Sequence, residues 1–109
     1  MAEVAAESTH VPSHKARTAL FIAAMRHFRD ELRVRGIAVE YRELGQHAAR
    51  TLGEALRADL ERLRPKRVIM VQAGEHRVAA DVSAAVASAG LELELAPDDH
   101  FFITPGEFE

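Results

Sequence analysis

Four consecutive apolar residues, Val68-Ile69-Met70-Val71, lie between two segments of helical periodicity and constrain the chain more than any other feature. A strand that is apolar at every position has no face to give to water, which is the pattern of a parallel strand covered on both faces by helices. The segment before it opens with Thr51-Leu52-Gly53-Glu54, a Thr and a Glu at capping-box spacing. It carries Leu52, Leu56, Leu60 and Leu63 on one side and stops at Pro65. The segment after it starts near Glu75, places Val78, Val82 and Val86 at fourfold spacing and ends at Gly90. Leu91-Glu92-Leu93-Glu94-Leu95 then alternates strictly, predicting a strand with one solvated face near a sheet edge.

The same alternation of elements is legible upstream. Leu20, Ala24, Phe28 and Leu32 recur every four residues with Phe21 and Met25 beside them, predicting a core-facing helix from about Ser13 to Arg35. Pro12 precedes it and Gly36 stands where a C-terminal cap belongs. Arg26 and Arg29 with Asp30 are assigned to the solvated side of this helix, and His27 to a structural hydrogen bond. Ile37 to Leu44 alternates well enough for a strand, and Glu3 to Ala6 reads as a short leading strand. Helices alternating with strands imply right-handed crossovers and a parallel sheet. The expected fold is α/β: a three-layer, Rossmann/flavodoxin-like open parallel sheet with helices on both faces, in a single domain spanning 1–109.

Composition narrows the chemistry. The chain has no Cys, which excludes disulfides, a thiol nucleophile and a cysteine-ligated iron–sulfur cluster within it. No run of about 18 apolar residues is present, so no membrane span is expected. Met1 to Glu7 lacks the basic-then-apolar pattern of a secretory signal, and a cytoplasmic location is the expectation. A net charge of −3 and a pI near 6.1 argue against direct nucleic-acid binding by electrostatics alone. The local basic runs (Lys15, Arg17, Arg26, Arg29; Arg62, Arg64, Lys66, Arg67) are interleaved with acids or sit at helix ends, and read as solvated surface.

Ligands of an open parallel sheet bind beyond the carboxyl ends of its strands. Those ends hold four of the six His: His10, His47, His76 and His100, with His14 one helical turn from His10. A metal site of His and carboxylates and acid–base catalysis by His76 with Glu75 or Asp99 are both readable there, beside the plainer account that polar residues collect in loops. Asp98 and Asp99 fit a turn after Pro97, and Phe101 and Phe102 a segment that pins the last strand. Gly74 separates a buried strand from a helix start, where the backbone can approach a ligand and the amides from Glu75 onward can hold an anion. No dinucleotide fingerprint, P-loop or nucleophile elbow is present.

Several stretches carry a family resemblance: Ser13-His14-Lys15 with Ala24-Met25-Arg26-His27-Phe28-Arg29-Asp30-Glu31-Leu32, then Ala73-Gly74-Glu75-His76-Arg77-Val78, Asp98-Asp99-His100-Phe101-Phe102 and Pro105-Gly106-Glu107-Phe108. From about Glu3 to Phe108 the chain resembles the N-terminal α/β domain of the bacterial photolyase-related proteins, the iron–sulfur bacterial cryptochromes and (6-4) photolyases. The resemblance implies a fragment lacking the family's first strand. It also implies that FAD and a 4Fe-4S cluster belong to a downstream domain outside this chain, and that this domain is an antenna for a ribityl-lumazine, 6,7-dimethyl-8-ribityllumazine. By the same resemblance Glu7 hydrogen-bonds the lumazine ring, Phe21 walls its pocket and His10 lines it, with His14, Gly74 and Glu75 completing the candidate set.

The family's Glu-Pro-Gly-Glu-Trp-Arg stands here as Gln72-Ala73-Gly74-Glu75-His76-Arg77, and its Lys-rich helix start is thinned to Lys15-Ala16-Arg17. Three functions therefore compete: a non-catalytic antenna domain, a stand-alone α/β module that binds a partner or small ligand without chromophore, and a metal- or His-dependent enzyme in the strand-end crevice. A sheet short of a strand exposes an edge, and a homodimer through that edge or an exposed helix face is expected.

Overall fold

The computed structural model describes residues 1–98 and divides the chain into two compact units, Met1–Thr51 and Leu52–Glu109. Helix and strand are mixed, and the sheet is parallel.

The first unit contains α1 (Ala5–Thr9) and α2 (Lys15–Val34). His14 caps α2, its Nδ1 accepting from the Ala16 amide at 3.1 Å, and the helix gives way at Gly36, whose φ of +79° only glycine adopts without strain. Of the stretch Glu3 to Ala6 expected to be a leading strand, Ala5 and Ala6 belong to α1, while Val4 is extended and the Glu3 amide bonds to the Arg42 carbonyl. The stretch from Ile37 to Leu44 makes a single parallel bridge, Ala2 to Arg42, held by the Glu3 amide donating to the Arg42 carbonyl (2.9 Å) and the Arg42 amide to the Met1 carbonyl (3.0 Å). One bridge fixes a crossing point without propagating a ladder.

Helix α2 is rolled by roughly a third of a turn from the expected orientation. Thr18, Ile22, Met25, Arg26, Arg29 and Leu32 are its half-buried positions, while Leu20, Phe21, Ala24 and Phe28 are exposed. The reason is electrostatic. Arg26 reaches the buried Glu3 carboxylate, and Arg29 is only 14% exposed, so the arginines read as solvated face inward. Leaving a buried carboxylate unpaired is costlier than leaving part of an apolar stripe in water.

The second unit holds α3 (Leu52–Leu63), β1 (Val68–Val71), α4 (His76–Ser88) and β2 (Leu93–Ala96), the bounds expected to within two residues. β1 and β2 pair in parallel with Val68 opposite Leu93 and Val71 opposite Ala96, so β1–α4–β2 is one crossover unit. β1 is covered on one face rather than both, with Val68 and Met70 half-buried and Ile69 and Val71 more than half exposed.

Buried Ala55, Leu60, Ala85 and Val86 form the core where α3 and α4 pack, and Gly53 is buried with them. A Cβ on Gly53 would stand 2.3 Å from Asp81 Oδ1 and 2.9 Å from the Asp81 carbonyl oxygen. The missing side chain lets Asp81 Oδ2 accept from the Gly53 amide at 2.7 Å, satisfying an orphan donor at the start of α3. Beyond α3, Arg64 sits at φ 47°, a left-handed position, before Pro65 ends the helix. Gly90, at φ +71°, follows α4 as expected.

Candidate functional site

The strongest concentration of polar chemistry lies in the first unit around Glu3, which is 4% exposed. Its two carboxylate oxygens each accept two hydrogen bonds. Oε1 takes Arg26 Nε and the Tyr41 hydroxyl, both at 2.7 Å, and Oε2 takes Arg26 Nη2 and the Leu44 amide, both at 2.9 Å. The bidentate Arg26 fork is the strong form of this interaction. These bonds, led by the Arg26 pair, outweigh burial and hold the Glu3 carboxyl at about 2, well below its ordinary 4.5. The same pairing raises Arg26 further above its ordinary value.

Tyr41 is pushed up to about 12, first by burial and then by its bond to Glu3. Arg29 stacks over the Tyr41 ring at 4.7 Å, donates through Nη1 to Glu43 Oε1 (3.1 Å) and forks onto Asp30 (2.7 and 3.0 Å). Asp30 is accordingly lowered, chiefly by its bonds to Arg29. His47 Nε2 lies 2.9 Å from the Glu3 carbonyl oxygen, which can only accept, so Nε2 carries the proton. Its Nδ1 is buried with no hydrogen-bond partner among the described residues.

A carboxylate held ionised at about 2 and bonded on every side is a poor proton donor or base near neutrality. The cluster is built to position the segments that carry it: the chain start, α2, and the loop from Tyr41 to His47. Of its members only His47 was selected from sequence, among the strand-end histidines; the rest were not, because Glu3 meets Arg26, Tyr41 and Leu44 across 23, 38 and 41 positions of chain. The one available signal was an acid next to Val4 in an otherwise small and apolar start.

The family model described as deoxyribodipyrimidine photo-lyase-related protein matches residues 1–109. The chain belongs to this family. It is similar to a (6-4) photolyase of Agrobacterium fabrum, 34% identical over 110 aligned positions that cover 99% of this chain and 22% of that relative. The chain thus spans about a fifth of the length of the photolyase it matches.

The sequence singled out six residues, Glu7, His10 and Phe21 by the photolyase-related resemblance and His14, Gly74 and Glu75 by their place in the chain, and the structure distributes them over both units. Glu7 is exposed on α1. His10 ends α1, its amide donating to the Ala6 carbonyl at 3.0 Å. His14 spends Nδ1 on the α2 cap, and Phe21 stands 58% exposed with the Arg17 guanidinium 5.6 Å from its ring centroid. These four share the first unit, on α1, its following loop and the first two turns of α2. Gly74 and Glu75 belong to the second unit. A Cβ on Gly74 would meet nothing within 4 Å, and Glu75 stands at the N-cap of α4, accepting from Arg77 Nε at 2.8 Å.

Two open grooves of about 530 and 500 Å3 lie in the second unit. One runs past Leu60, Arg64, Pro65 and Leu91, the other past Arg67, Val68, Gly90 and Leu93, and neither is lined by Gly74 or Glu75. Among the described residues no group of three His, Asp or Glu could hold a metal ion, and no helix is long and apolar enough to cross a membrane. Asp99, His100, Phe101 and Phe102 lie outside the described residues.

Proposed function

We propose that this chain is the antenna-chromophore-binding N-terminal domain of a deoxyribodipyrimidine photo-lyase-related protein, cytoplasmic and not catalytic by itself. The observation that carries the reading is the reach of the similarity: it takes in 99% of this chain but only 22% of a (6-4) photolyase. A segment of that size, without a single Cys, supplies no ligands for a cysteine-bound cluster, which fits a role beside the light-driven chemistry rather than in it. In the complete protein the strands belong to a three-layer, flavodoxin-like parallel sheet, and FAD and the 4Fe-4S cluster to the downstream domain. The whole protein then acts in light-driven DNA repair or as a cryptochrome-type photoreceptor.

The ligand in this reading is 6,7-dimethyl-8-ribityllumazine. What supports its placement in the first unit is the exposed Phe21 ring with Arg17 stacked on it, a platform of the kind on which a flat heteroaromatic ring stacks. Glu7, His10 and His14, within the two elements before it, offer hydrogen-bonding groups at the rim.

A fluorescence titration of the chain with the lumazine, with riboflavin as a control, tests this. Saturable binding that weakens in Glu7→Ala and in Phe21→Ala supports the antenna. No binding by a chain shown to be folded leaves the second reading, a partner-binding α/β module, which the exposure of Leu20 (70%) and Phe28 (51%) on α2 favours.

A further inference from the structure

Helix α2 presents Arg17, Leu20, Ala24, Phe28 and Glu31 along one line, all exposed. Their spacing is 3, 4, 4, 3, which reads the same in both directions about Ala24. At 100° per residue all five fall within roughly 40° of the line's centre, so they form a seam rather than a scatter. The seam is apolar in the middle, small at its midpoint, and closed by a cation at one end and an anion at the other. Glu31 is engaged by Arg35 of its own chain, and Arg17 lies over Phe21, both at the surface.

Such a pattern is complementary to itself when reversed. Two copies related by a two-fold axis through Ala24 would place Leu20 of each against Phe28 of the other, and Arg17 of each level with Glu31 of the other, about 10 Å from the axis at 1.5 Å rise per residue. The small residue at the crossing permits the 8–10 Å axis separation of packed helices, and the mix of three- and four-residue steps suits a shallow crossing angle. The same seam in a parallel pair would set Arg17 against Arg17 and Glu31 against Glu31, so the charges select the antiparallel arrangement.

We propose that the exposed seam of α2 is a homodimer interface, the two α2 helices packing antiparallel across a two-fold axis at Ala24. Phe21 lies at the flank of the seam and Arg17 belongs to both the seam and the Phe21 platform, so Ala24→Cys and Glu31→Arg, which leave that platform untouched, are the variants that separate dimerisation from chromophore binding.

The absence of Cys in the native sequence makes the geometry directly testable. Sedimentation equilibrium of the chain should give a dimer. Under mild oxidation Ala24→Cys should form a disulfide between copies, whereas the exposed neighbour Ala23→Cys, one residue around the helix, should not. Arg17→Glu and Glu31→Arg should each raise the dimer dissociation constant about tenfold, since each replaces two attractive pairs by two repulsive ones. Mixing those two variants should restore association, because a pair made of one copy of each again sets a cation against an anion at both ends of the seam. A monomer at every concentration overturns the proposal. So does a dimer that ignores both charge reversals and leaves Ala24→Cys unlinked, which would assign association to another face such as the sheet edge.

Discussion

In Met1–Thr51 the buried side chains are Val4 and a carboxylate, Glu3, whereas among the described residues from Leu52 onward the buried positions are Gly53, Ala55, Leu60, Ala85 and Val86. One region is ordered around a saturated ion pair and the other around close approach of two helices through small side chains. The difference shows in what each tolerates. A charge network is specific because each member is lost at the cost of stranding the rest. A small-residue interface is specific because it has no room.

The sharpest way to break the comparison is Glu3→Ala. It strands the Tyr41 hydroxyl and the Leu44 amide and should cost about 3 kcal/mol, discounted for the half-exposed Arg26, which regains water. Tyr41 is the sole Tyr of a chain without Trp, so its absorbance reports the first unit alone. Its phenol should titrate near 12 in the wild type and fall toward 10 in the variant, remaining raised by burial. A Tyr41 transition that moves no more than the backbone circular dichroism would mean that the cluster is not what distinguishes the first unit.

Acid should reproduce most of that loss without mutation. The folded Glu3 carboxyl is depressed from 4.5 to about 2, so its contribution is complete above about 4.5 and disappears as pH falls through about 2. Denaturant midpoints measured from pH 5 to pH 2 should therefore decline for wild type and flatten in Glu3→Gln.

Gly53→Ala probes the other region. Its methyl group would sit 2.3 Å from Asp81 Oδ1 and 2.9 Å from the Asp81 carbonyl oxygen, and the second of these belongs to the backbone of α4. The helices must part, at a cost of about 2 kcal/mol. Adding Asp81→Ala should rescue little of it. Full rescue in thermal melts would show that only the carboxylate limits the approach.

The smallest effect has the opposite sign. Arg64→Gly removes a side chain from a left-handed position and should stabilise by about 0.5–1 kcal/mol, measured as a raised denaturant midpoint with an unchanged slope.

Short-range chemistry accounts for what could be read from sequence. The Thr51–Pro65 segment, the apolar Val68–Val71 run, the Val78–Val86 spacing and the glycines at 36 and 90 determined α3, β1, α4 and the ends of α2 and α4, because periodicity and caps act within a few residues. The motif stretches, rather than these periodicities, carried the family resemblance, which the match over residues 1–109 bears out. The roll of α2 was decided elsewhere. Its leucine and phenylalanine stripe is a true helix signal, but which side turns inward depended on an acid 23 residues away from Arg26. Likewise Ile37 to Leu44 alternates like a strand yet forms one bridge, since alternation specifies a face and not a partner. Local sequence thus set the elements, and the pairing of Glu3 with groups distant along the chain set their orientation, because a buried charge must find its partner wherever the fold can bring one.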